Sequence, residues 1–448
     1  VTISEEQSAL VIDGEDTDSR VNVASDLAAL GSLTFSTLAS AELELTAANV
    51  EVGTLTTGTV ATTVNVTDGA EIATLSGDDL TLVGAGDVTV ADGDAVEVLD
   101  ASGLDGDLEL TTSTKTDGQE IAGAVGNNTV VYGVTVAGSG ATQTDIFVGQ
   151  SGNDDVTFGA TTGNVEATFA GGNNEITFTG AFEGEASIVA GDGDDTLTFE
   201  NLAAGADVTA QLGSGTNTLV LDANVDTTDA DTFIVEGLTN LQVADNTSVV
   251  RADLLSGKAI AVNGAAGSTT LTVTGTDADG ETIDLSGLSL SNTVDENIST
   301  VAVTGNLGDD QITGTDLGDE ITGGEGADTI TLGDGADTII YTATVAKGTS
   351  AGDTTVGVNE EGGDTISGFE DGSDVIQFAS GLLVAAGGTS LNDTGAAVQE
   401  ITAGGDFAAA VTGANSAGII EINAAFTGEM DAAGVAGLLQ GTAASDMA

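Results

Sequence analysis

Acidic side chains recur at a fixed spacing between residues 305 and 340. This stretch reads GNLGDDQIT, GTDLGDEIT, GGEGADTIT and LGDGADTII, four nonapeptides in unbroken register. Each has an aspartate at its sixth place and an isoleucine at its eighth: Asp310, Asp319, Asp328 and Asp337; Ile312, Ile321, Ile330 and Ile339. If one nonapeptide forms half a coil, units two apart stack directly. Stacked carboxylates repel one another unless a cation lies between them, and Ca²⁺ binds about six to eight such hard oxygens, backbone carbonyls included.

The predicted stacking places Asp310 over Asp328 and Asp319 over Asp337. The third nonapeptide, residues 323–331, also fits the calcium-binding repeat G-G-x-G-x-D-x-U-x at every defined position. The block therefore resembles the RTX, or haemolysin-type, repeat of type I secreted bacterial proteins. This resemblance implies a β-roll whose turns bind several Ca²⁺ ions through the sixth-place aspartates. Further candidate ligands in the same turns are Asp309 and Asp334.

A solvated Gly/Asp loop without metal is the alternative interpretation of this block. A second segment, 362–378, reads GGDTISGFEDGSDVIQF and resembles the D-x-I-x-x-F…G-x-D-x-I passage that closes RTX β-rolls. The resemblance implies three calcium ligands in this segment: Asp364, Asp371 and Asp374. The apolar residues that would cap the core are Phe369, Ile376 and Phe378.

A longer repeat occupies residues 143 to about 225. Segments of 21 residues begin at Gly163, Gly184 and Gly205, each with two strands around a Gly-rich turn. When the turns of this region are aligned with the nonapeptides, one position in each turn corresponds to the sixth-place aspartate. That position holds, in chain order, Asp154, Asn174, Asp195 and Asn217. We predict that Asp154 and Asp195 bind fewer or weaker calcium ions than 305–340, with asparagine partly replacing the metal. The alternative is that asparagine merely suits turns that need a positive φ.

Short strands are the elements that must position these turns. Runs such as ELELT, TVNVT and LTLVG alternate apolar and polar residues between Gly/Asp turns. This period of two, with a turn about every eight to twelve residues, favours all-β packing. We predict an all-β fold, a right-handed parallel β-solenoid or β-roll with calcium-binding Gly/Asp turns. Helical pieces are expected at 25–30 and 38–43 and, near the C-terminus, at 407–411 and 431–439.

We divide the chain into four regions by composition and period. Residues 1–140 form a β-rich, solenoid-like region, and residues 141–300 form a β-solenoid with repeats of about 21 residues. Residues 301–380 form the calcium-binding β-roll that resembles RTX repeats. Residues 381–448 form an Ala/Gly-rich C-terminal region.

Composition limits the partners and the chemistry. Acidic residues number 72 against five basic ones, which gives a formal net charge of −67. A field this repulsive argues against nucleic acid and anionic membranes as partners and for bound cations. The chain has no Cys and no His, so thiol chemistry, disulfides and zinc or haem sites are excluded, and oxygen ligands suit Ca²⁺. No run approaches the roughly 20 apolar residues that cross a bilayer, so we predict no membrane insertion.

The residues offer little material for catalysis. General acid–base catalysis usually recruits His or a carboxylate poised by its surroundings, and the carboxylates here lie mostly in metal-like turns. The basic residues are scattered through the chain: Arg20, Lys115, Arg251, Lys258 and Lys347. We therefore predict that the chain is not an enzyme.

In composition the chain is similar to RTX-type bacterial S-layer proteins, being rich in Thr, Ala, Gly, Val and Asp and free of Cys. This resemblance implies a secreted, extracellular, calcium-dependent structural protein that self-assembles into a surface layer or filament on a bacterial cell. Its expected partner is itself, with a cell-surface polysaccharide bound through another region as a further candidate. Two alternatives stay open: an RTX adhesin or matrix protein, and the C-terminal secretion module of a larger enzyme or toxin. Excess EGTA should abolish the β-sheet circular-dichroism signal if calcium holds the fold.

Overall fold

The structure, a computed structural model, separates into two compact units, Val1–Gln242 and Val243–Ala448. The fold is a right-handed parallel β-solenoid, which confirms the predicted fold class. The residues that the structure describes are 2–3, 9–13, 19–23, 29–36, 38, 40–46, 49–115, 118–135, 144–160, 163–244, 248–264, 269–277, 279–291, 297–341, 363–370, 373–378, 384–385, 389–390, 399–402, 420–423 and 430–431.

The first unit is built from short strands joined by Gly-, Asp- and Asn-containing turns. In chain order they are β1 (Thr2–Ile3), β2 (Leu10–Asp13), β3 (Ser19–Val23), β4 (Ala29–Ser36), β5 (Ser40–Leu45), β6 (Val50–Gly58), β7 (Ala61–Val66), β8 (Gly69–Gly77), β9 (Leu80–Gly84), β10 (Asp87–Val90), β11 (Ala95–Val96), β12 (Val98–Leu104), β13 (Leu108–Thr111), β14 (Thr114–Lys115), β15 (Glu120–Ala122), β16 (Asn128–Tyr132), β17 (Val134–Thr135), β18 (Thr144–Gly149), β19 (Asp155–Phe158), β20 (Asn164–Phe169), β21 (Glu175–Phe182), β22 (Glu185–Val189), β23 (Thr196–Leu202), β24 (Asp207–Gln211), β25 (Thr218–Leu221), β26 (Thr232–Glu236) and β27 (Asn240–Val243).

These strands form two sheets, and the chain alternates between them. The first sheet has the order β1-β3-β5-β7-β9-β12-β15-β18-β20-β22-β24-β26. The second runs β2-β4-β6-β8-β10-β13-β16-β19-β21-β23-β25-β27 in this unit, while β11 pairs with β8 and β14 with β17. Neighbouring strands are parallel and are connected by right-handed crossovers, the hand that a right-twisted strand favours.

Alternation along each strand places every second side chain inside. In β7 the buried residues are Thr62, Val64 and Val66. Parallel register then stacks like residues, so that Val64 pairs with Leu43 on one side and Leu82 on the other. The apolar side of each strand is buried only because neighbouring coils cover it, as expected of a solenoid.

An aromatic stack, defined as Tyr132, Phe158, Phe178 and Phe199, fills the middle of this core. Ring centroids lie 4.9 Å apart for Tyr132–Phe158, 5.3 Å for Phe158–Phe178 and 4.8 Å for Phe178–Phe199. The four residues are buried and occupy one register column of the second sheet. Tyr132 remains satisfied because its hydroxyl donates to the carbonyl oxygen of Ile146 at 2.7 Å.

The second unit continues with one helical turn and further strands. In chain order these are β28 (Val249–Arg251), α1 (Ala252–Leu255), β29 (Ala261–Asn263), β30 (Thr269–Thr274), β31 (Thr282–Asp284), β32 (Ser289–Leu290), β33 (Ile298–Leu307), β34 (Gln311–Thr313), β35 (Asp319–Glu325), β36 (Thr329–Thr331), β37 (Thr338–Tyr341), β38 (Gly363–Ser367), β39 (Val375–Phe378), β40 (Val384–Ala385), β41 (Thr389–Ser390), β42 (Gln399–Thr402), β43 (Ile420–Asn423) and β44 (Met430–Asp431).

In this unit one nonapeptide forms half a coil, as predicted. Strands β28, β30, β33, β35, β37 and β39 lie side by side in one parallel sheet, and β31, β34, β36 and β38 in another. Ile312 pairs with Ile330 in one sheet and Ile321 pairs with Ile339 in the other. These isoleucines are buried, so the eighth place of the repeat supplies the core. Antiparallel strands follow, with β44 on β38 and β43 on β39.

None of the predicted helical segments is a helix in the described residues. The segment at 38–43 is wrong, because Ser40–Leu45 is a strand whose Ala41, Leu43 and Leu45 are buried on one side. Parallel pairing with both neighbouring coils outweighs the local helix preference of LASAEL. Of the segment predicted at 25–30, Ala29 and Leu30 begin strand β4, so the helix is wrong there, and residues 25–28 lie outside the described residues. Residues 407–411 also lie outside them, as does 431–439 apart from Asp431 in β44. The one helix in the described residues is the single turn Ala252–Leu255, which was not predicted.

Candidate metal centre

The first acidic column consists of Glu281, Asp310, Asp328 and Asp364, one residue from each successive coil of the second unit. Each side chain lies where a turn enters a strand, and consecutive members are joined by hydrogen bonds. The main-chain N–H of Glu281 donates to Asp310 Oδ1 at 2.7 Å, and that of Asp310 donates to Asp328 Oδ1 at 2.9 Å. Asp328 donates likewise to Asp364 Oδ1 at 2.9 Å. Asp310 therefore stacks on Asp328, as the spacing predicts.

The second acidic column consists of Asp319, Asp337 and Asp374. The main-chain N–H of Asp319 donates to Asp337 Oδ1 at 2.9 Å, and that of Asp337 donates to Asp374 Oδ1 at 3.0 Å. The columns repeat every 18 residues in the nonapeptides because each coil contains two of them. Both columns continue past the insertion after Tyr341, which lengthens the spacing to 36 and 37 residues.

Several column carboxylates use only one of their two oxygens. The Oδ2 atoms of Asp310, Asp328 and Asp337 are buried and accept no hydrogen bond from the described part of the chain, and Glu281 Oε1 shares this property. Burial raises the pKa of Asp328 and of Asp337 to about 7, and neighbouring carboxylates contribute to both shifts. Burial also raises the pKa of Asp319 to about 6, although Thr315 opposes the shift by hydrogen bonding. When Asp310, Asp328 and Asp337 are charged, each therefore has one oxygen without a hydrogen-bond donor in the described chain.

Glycine at the first place of the first and third nonapeptides leaves room for the second oxygens of Asp310 and Asp328. A Cβ added to Gly305 would overlap both Asp310 Oδ2 and the carbonyl oxygen of Gly323. A Cβ on Gly323 would likewise overlap Asp328 Oδ2. A carboxylate oxygen and a carbonyl oxygen from the next coil thus converge on one small volume that only glycine keeps free.

These donors fit calcium. Carboxylate and carbonyl oxygens are the ligands that Ca²⁺ prefers, and buried oxygens without donors are what a cation would satisfy. Within the described ranges, no three or more carboxylate side chains form a metal-binding group by themselves. A site here must therefore take a large share of its about six to eight ligands from backbone carbonyls such as Gly323.

The remaining predicted ligands of this unit occupy different environments. Asp364 and Asp374 are buried members of the columns. Asp309 and Asp334 are exposed, and Asp309 Oδ1 accepts the main-chain N–H of Ala327 at 2.8 Å. Asp371 lies outside the described residues. Of the predicted capping residues, Ile376 is buried and Phe369 is half-buried, while the side chain of Phe378 is not described.

The first unit contains a related structure, the Asn/Asp ladder, defined as Asn128, Asp154, Asn174, Asp195 and Asn217. All five are buried, and each main-chain N–H donates to the side-chain oxygen of the next member. The distances from Asn128 to Asn217 in chain order are 3.0, 3.1, 2.9 and 3.1 Å. The ladder therefore brings Asp154 and Asp195 next to amides and never next to each other.

The amides of this ladder supply donors that the acidic columns lack. Asn174 Nδ2 donates to Asp195 Oδ1 at 2.9 Å and to the carbonyl oxygen of Ala190 at 3.1 Å. Asn128 Nδ2 donates to Asp154 Oδ1 at 2.6 Å. Burial raises the pKa of Asp154 and of Asp195, and these asparagine bonds oppose both shifts.

The second oxygens of Asp154 and Asp195 are buried and accept no hydrogen bond from the described residues, and that of Asp154 lies beside Gly149, close to two phenylalanine rings. A Cβ added to Gly149 would overlap Asp154 Oδ2 and would lie 3.0 Å from Phe169 Cδ1 and 3.1 Å from Phe147 Cε1. Ring edges carry a partial positive charge, which suits a carboxylate oxygen but gives no ligand to a metal. This surrounding differs from that of Asp310, although both aspartates fill the same place in their coils.

Positive φ does not explain the asparagines of the ladder. The non-glycine residues with positive φ in the described chain are Asn49, Asn224 and Asn306. Asn174 and Asn217 are absent from this set, so the alternative interpretation is wrong for them. Their amides are needed for hydrogen bonding between coils.

Three residues of these sites were not predicted. Glu281 begins the first acidic column, and the E-T-I triplet at 281–283 could have identified it as a nonapeptide with glutamate at the sixth place. Asn128 begins the Asn/Asp ladder, and the following T-V-V strand is its only signal. Thr315 replaces the second glycine of its nonapeptide and hydrogen-bonds Asp319.

Comparisons of the chain with protein-family models, with curated proteins and with solved structures found no match. The class of site therefore rests on its geometry: stacked oxygen donors at the turns of a parallel β-solenoid. Among the described residues, no helix is long and apolar enough to cross a membrane.

Proposed function

We propose that this chain is a secreted, calcium-dependent structural protein that self-assembles into a surface layer or filament on a bacterial cell. The observation that carries the proposal is the pair of acidic columns, in which buried carboxylates follow one another and several of them have one oxygen without a hydrogen-bond donor. Asp310, Asp328 and Asp337 each keep one buried oxygen that accepts no hydrogen bond from the described chain. Repeated oxygen sites along a solenoid support a role in folding and assembly rather than in catalysis.

Calcium at such sites would decide whether the second unit folds. Extracellular-class sites bind Ca²⁺ with a Kd of about 10⁻⁴ to 10⁻³ M. With calcium at about ten times the Kd, which is about 1 mM for the tighter of these sites, each site stabilises the fold by ~1.4 kcal/mol, so three sites contribute ~4 kcal/mol. A whole domain is typically stable by about 5–15 kcal/mol, so this contribution is a large fraction of the stability of the unit. Low cytosolic calcium would then keep the unit unfolded for export, and extracellular calcium would fold it.

The net charge of −67 opposes self-association unless cations are present, so we expect assembly to depend on the same metal. Copies with this charge repel one another at low ionic strength, and divalent cations lower that repulsion. We expect ordered sheets or filaments by negative-stain electron microscopy in millimolar calcium, and dispersed particles in EGTA. Magnesium at equal ionic strength is the control, because it prefers stricter octahedral geometry and should not assemble the protein.

Each outcome of this experiment distinguishes a class of function. Calcium-dependent ordered polymers support the structural protein. Folded monomers at every calcium concentration contradict self-assembly and favour an adhesin or matrix protein. Assembly that is equal in calcium, magnesium and EGTA contradicts the metal requirement.

A further inference from the structure

Asp319 differs from the other sixth-place aspartates because a threonine occupies both of its oxygens. The main-chain N–H of Thr315 donates to Asp319 Oδ2 at 2.7 Å, and the Thr315 hydroxyl donates to Asp319 Oδ1 at 2.8 Å. Both residues are buried, so water does not compete for these bonds. Asp337, the next member of the same column, has only one oxygen engaged.

Backbone conformation explains why threonine is accepted at this second place. In the first acidic column the corresponding residues are Asn306 and Gly324, with φ of 93° and 124°. A β-branched residue is strongly disfavoured at such angles. Thr315 is not among the positive-φ residues, so its hydroxyl can reach back to Asp319 without strain.

Asp374 at the other end of the second column is also engaged through both oxygens. Its Oδ1 accepts the N–H of Asp337 at 3.0 Å, and its Oδ2 accepts the N–H of Glu370 at 2.6 Å. Asp337 therefore lies between two satisfied carboxylates. In the first column, by contrast, Asp310 and Asp328 are consecutive, and each has a buried oxygen that accepts no bond from the described residues.

We propose that Thr315 takes the place of a cation at Asp319, so that calcium binds at Asp310, Asp328 and Asp337 but not at Asp319. The two columns are then unequal, with most of the calcium in the first. This inference rests on the proposed calcium-dependent function and assigns the ligands within it. The hydroxyl and the N–H of Thr315 together engage both oxygens of Asp319. The other three aspartates each accept one main-chain N–H and have Oδ2 open to a metal.

The test counts calcium ions bound to the full chain by isothermal titration with equilibrium dialysis. Asp328→Asn should lower the count by one, whereas the isosteric Asp319→Asn should leave it unchanged. Both variants keep the main-chain N–H that joins the coils. An equal loss in Asp319→Asn and Asp328→Asn would overturn the inference. If the unaltered chain binds no calcium, the proposed function is contradicted. Failure of the proposed function can therefore be distinguished from failure of the Thr315 inference.

A second pair of variants tests the hydroxyl directly, without requiring either aspartate to change. In EGTA, Thr315→Gly should speed amide hydrogen exchange across Gly314–Asp319 at least about tenfold, whereas Thr315→Ser, which keeps the hydroxyl, should not. In calcium, Thr315→Gly should bind one more ion than the unaltered chain. Equal exchange rates in the two variants, or an unchanged calcium count in Thr315→Gly, would contradict the inference.

Discussion

In the Asn/Asp ladder of the first unit, Asn174 lies between Asp154 and Asp195, whereas in the first acidic column Asp310 and Asp328 follow one another without an amide. Both arrangements join coils through a main-chain N–H and a side-chain oxygen of the same place in the repeat. The amide adds a donor that a carboxylate cannot supply. The comparison teaches that one position of the coil can alternate amide with carboxylate or can place buried carboxylates next to one another, and the second arrangement has fewer donors.

The first unit and the nonapeptides of the second unit also differ in the side chains that fill their cores. The aromatic stack gives the first unit large buried side chains, while the nonapeptides bury isoleucines. Aromatic residues bury more area each and pack in offset stacks. The first unit therefore has more apolar stabilisation per coil, and the second depends more on its turns.

The largest expected effect is in the aromatic stack. Phe178→Ala should destabilise the first unit by about 3–5 kcal/mol, because it removes a ring that touches both stacked neighbours. The loss should be the same in calcium and in EGTA. Ile330→Ala in the second unit is the matched variant, and added calcium should offset its loss. Urea unfolding followed by hydrogen exchange within each unit measures both, and a calcium-dependent loss for Phe178→Ala would contradict the comparison.

Asn174→Asp should convert the ladder into an acidic column. Three consecutive buried carboxylates, at positions 154, 174 and 195, would then replace two that an amide separates. The side-chain amide that donates to Asp195 Oδ1 and to the Ala190 carbonyl would be lost. An uncompensated buried charge of this kind costs about 3 kcal/mol. Hydrogen exchange of β21 and β22 in EGTA should accelerate accordingly.

The control for that variant is Asn173→Asp. Asn173 is exposed, and its Oδ1 accepts the N–H of Asp194 at 2.9 Å, a role that aspartate retains. In Asn173→Asp, the amide hydrogen-exchange rates of β21 and β22 should stay near those of the unaltered chain. Equal acceleration in both variants would show that added charge, not the lost amide, is responsible.

Asp328→Asn is the reciprocal change and should have a smaller effect. An amide at this place can donate to a neighbouring oxygen, so the second unit should gain about 1–3 kcal/mol of stability in EGTA. The same variant should respond less to calcium. Asp309→Asn, on the exposed side of the turn, is the control, and an equal gain there would contradict the account.

The sequence predicted the second unit better than the first. The nine-residue period placed Asp310 on Asp328 and Ile312 on Ile330 because a strict repeat leaves one choice of register. In the first unit the period varies between 20 and 26 residues, so Asn128 could not be assigned to the ladder. The approach of Asp154 to Gly149 and the hydrogen bonds of Thr315 to Asp319 depend on packing and φ, which spacing does not encode.

The last prediction concerns pH. The pKa values of Asp319, Asp328 and Asp337 in the folded chain are about 6, 7 and 7, above the ordinary value of 3.8. A raised pKa means that protonation favours the folded state, so this contribution is complete below about pH 4 and is lost as pH rises through 6–7. In EGTA the second unit should therefore be more stable at pH 5 than at pH 8. Calcium affinity should change in the opposite direction, because protons compete for the same oxygens.

Urea midpoints at the two pH values, followed by hydrogen exchange of 305–340, measure this prediction. The first unit serves as the internal control, since acidification also relieves the general repulsion of the chain. An equal shift in both units would assign the effect to net charge and not to the columns.

The central claim, that calcium holds the second unit and hydrogen bonds hold the first, has a direct spectroscopic test. The chain has two tyrosines and no tryptophan. Tyr132 belongs to the aromatic stack and Tyr341 ends β37, so Tyr341→Phe and Tyr132→Phe each leave one reporter for one unit. On addition of EGTA, the near-ultraviolet signal of Tyr132 should persist while that of Tyr341 collapses. Loss of both signals together, or of neither, would contradict the account.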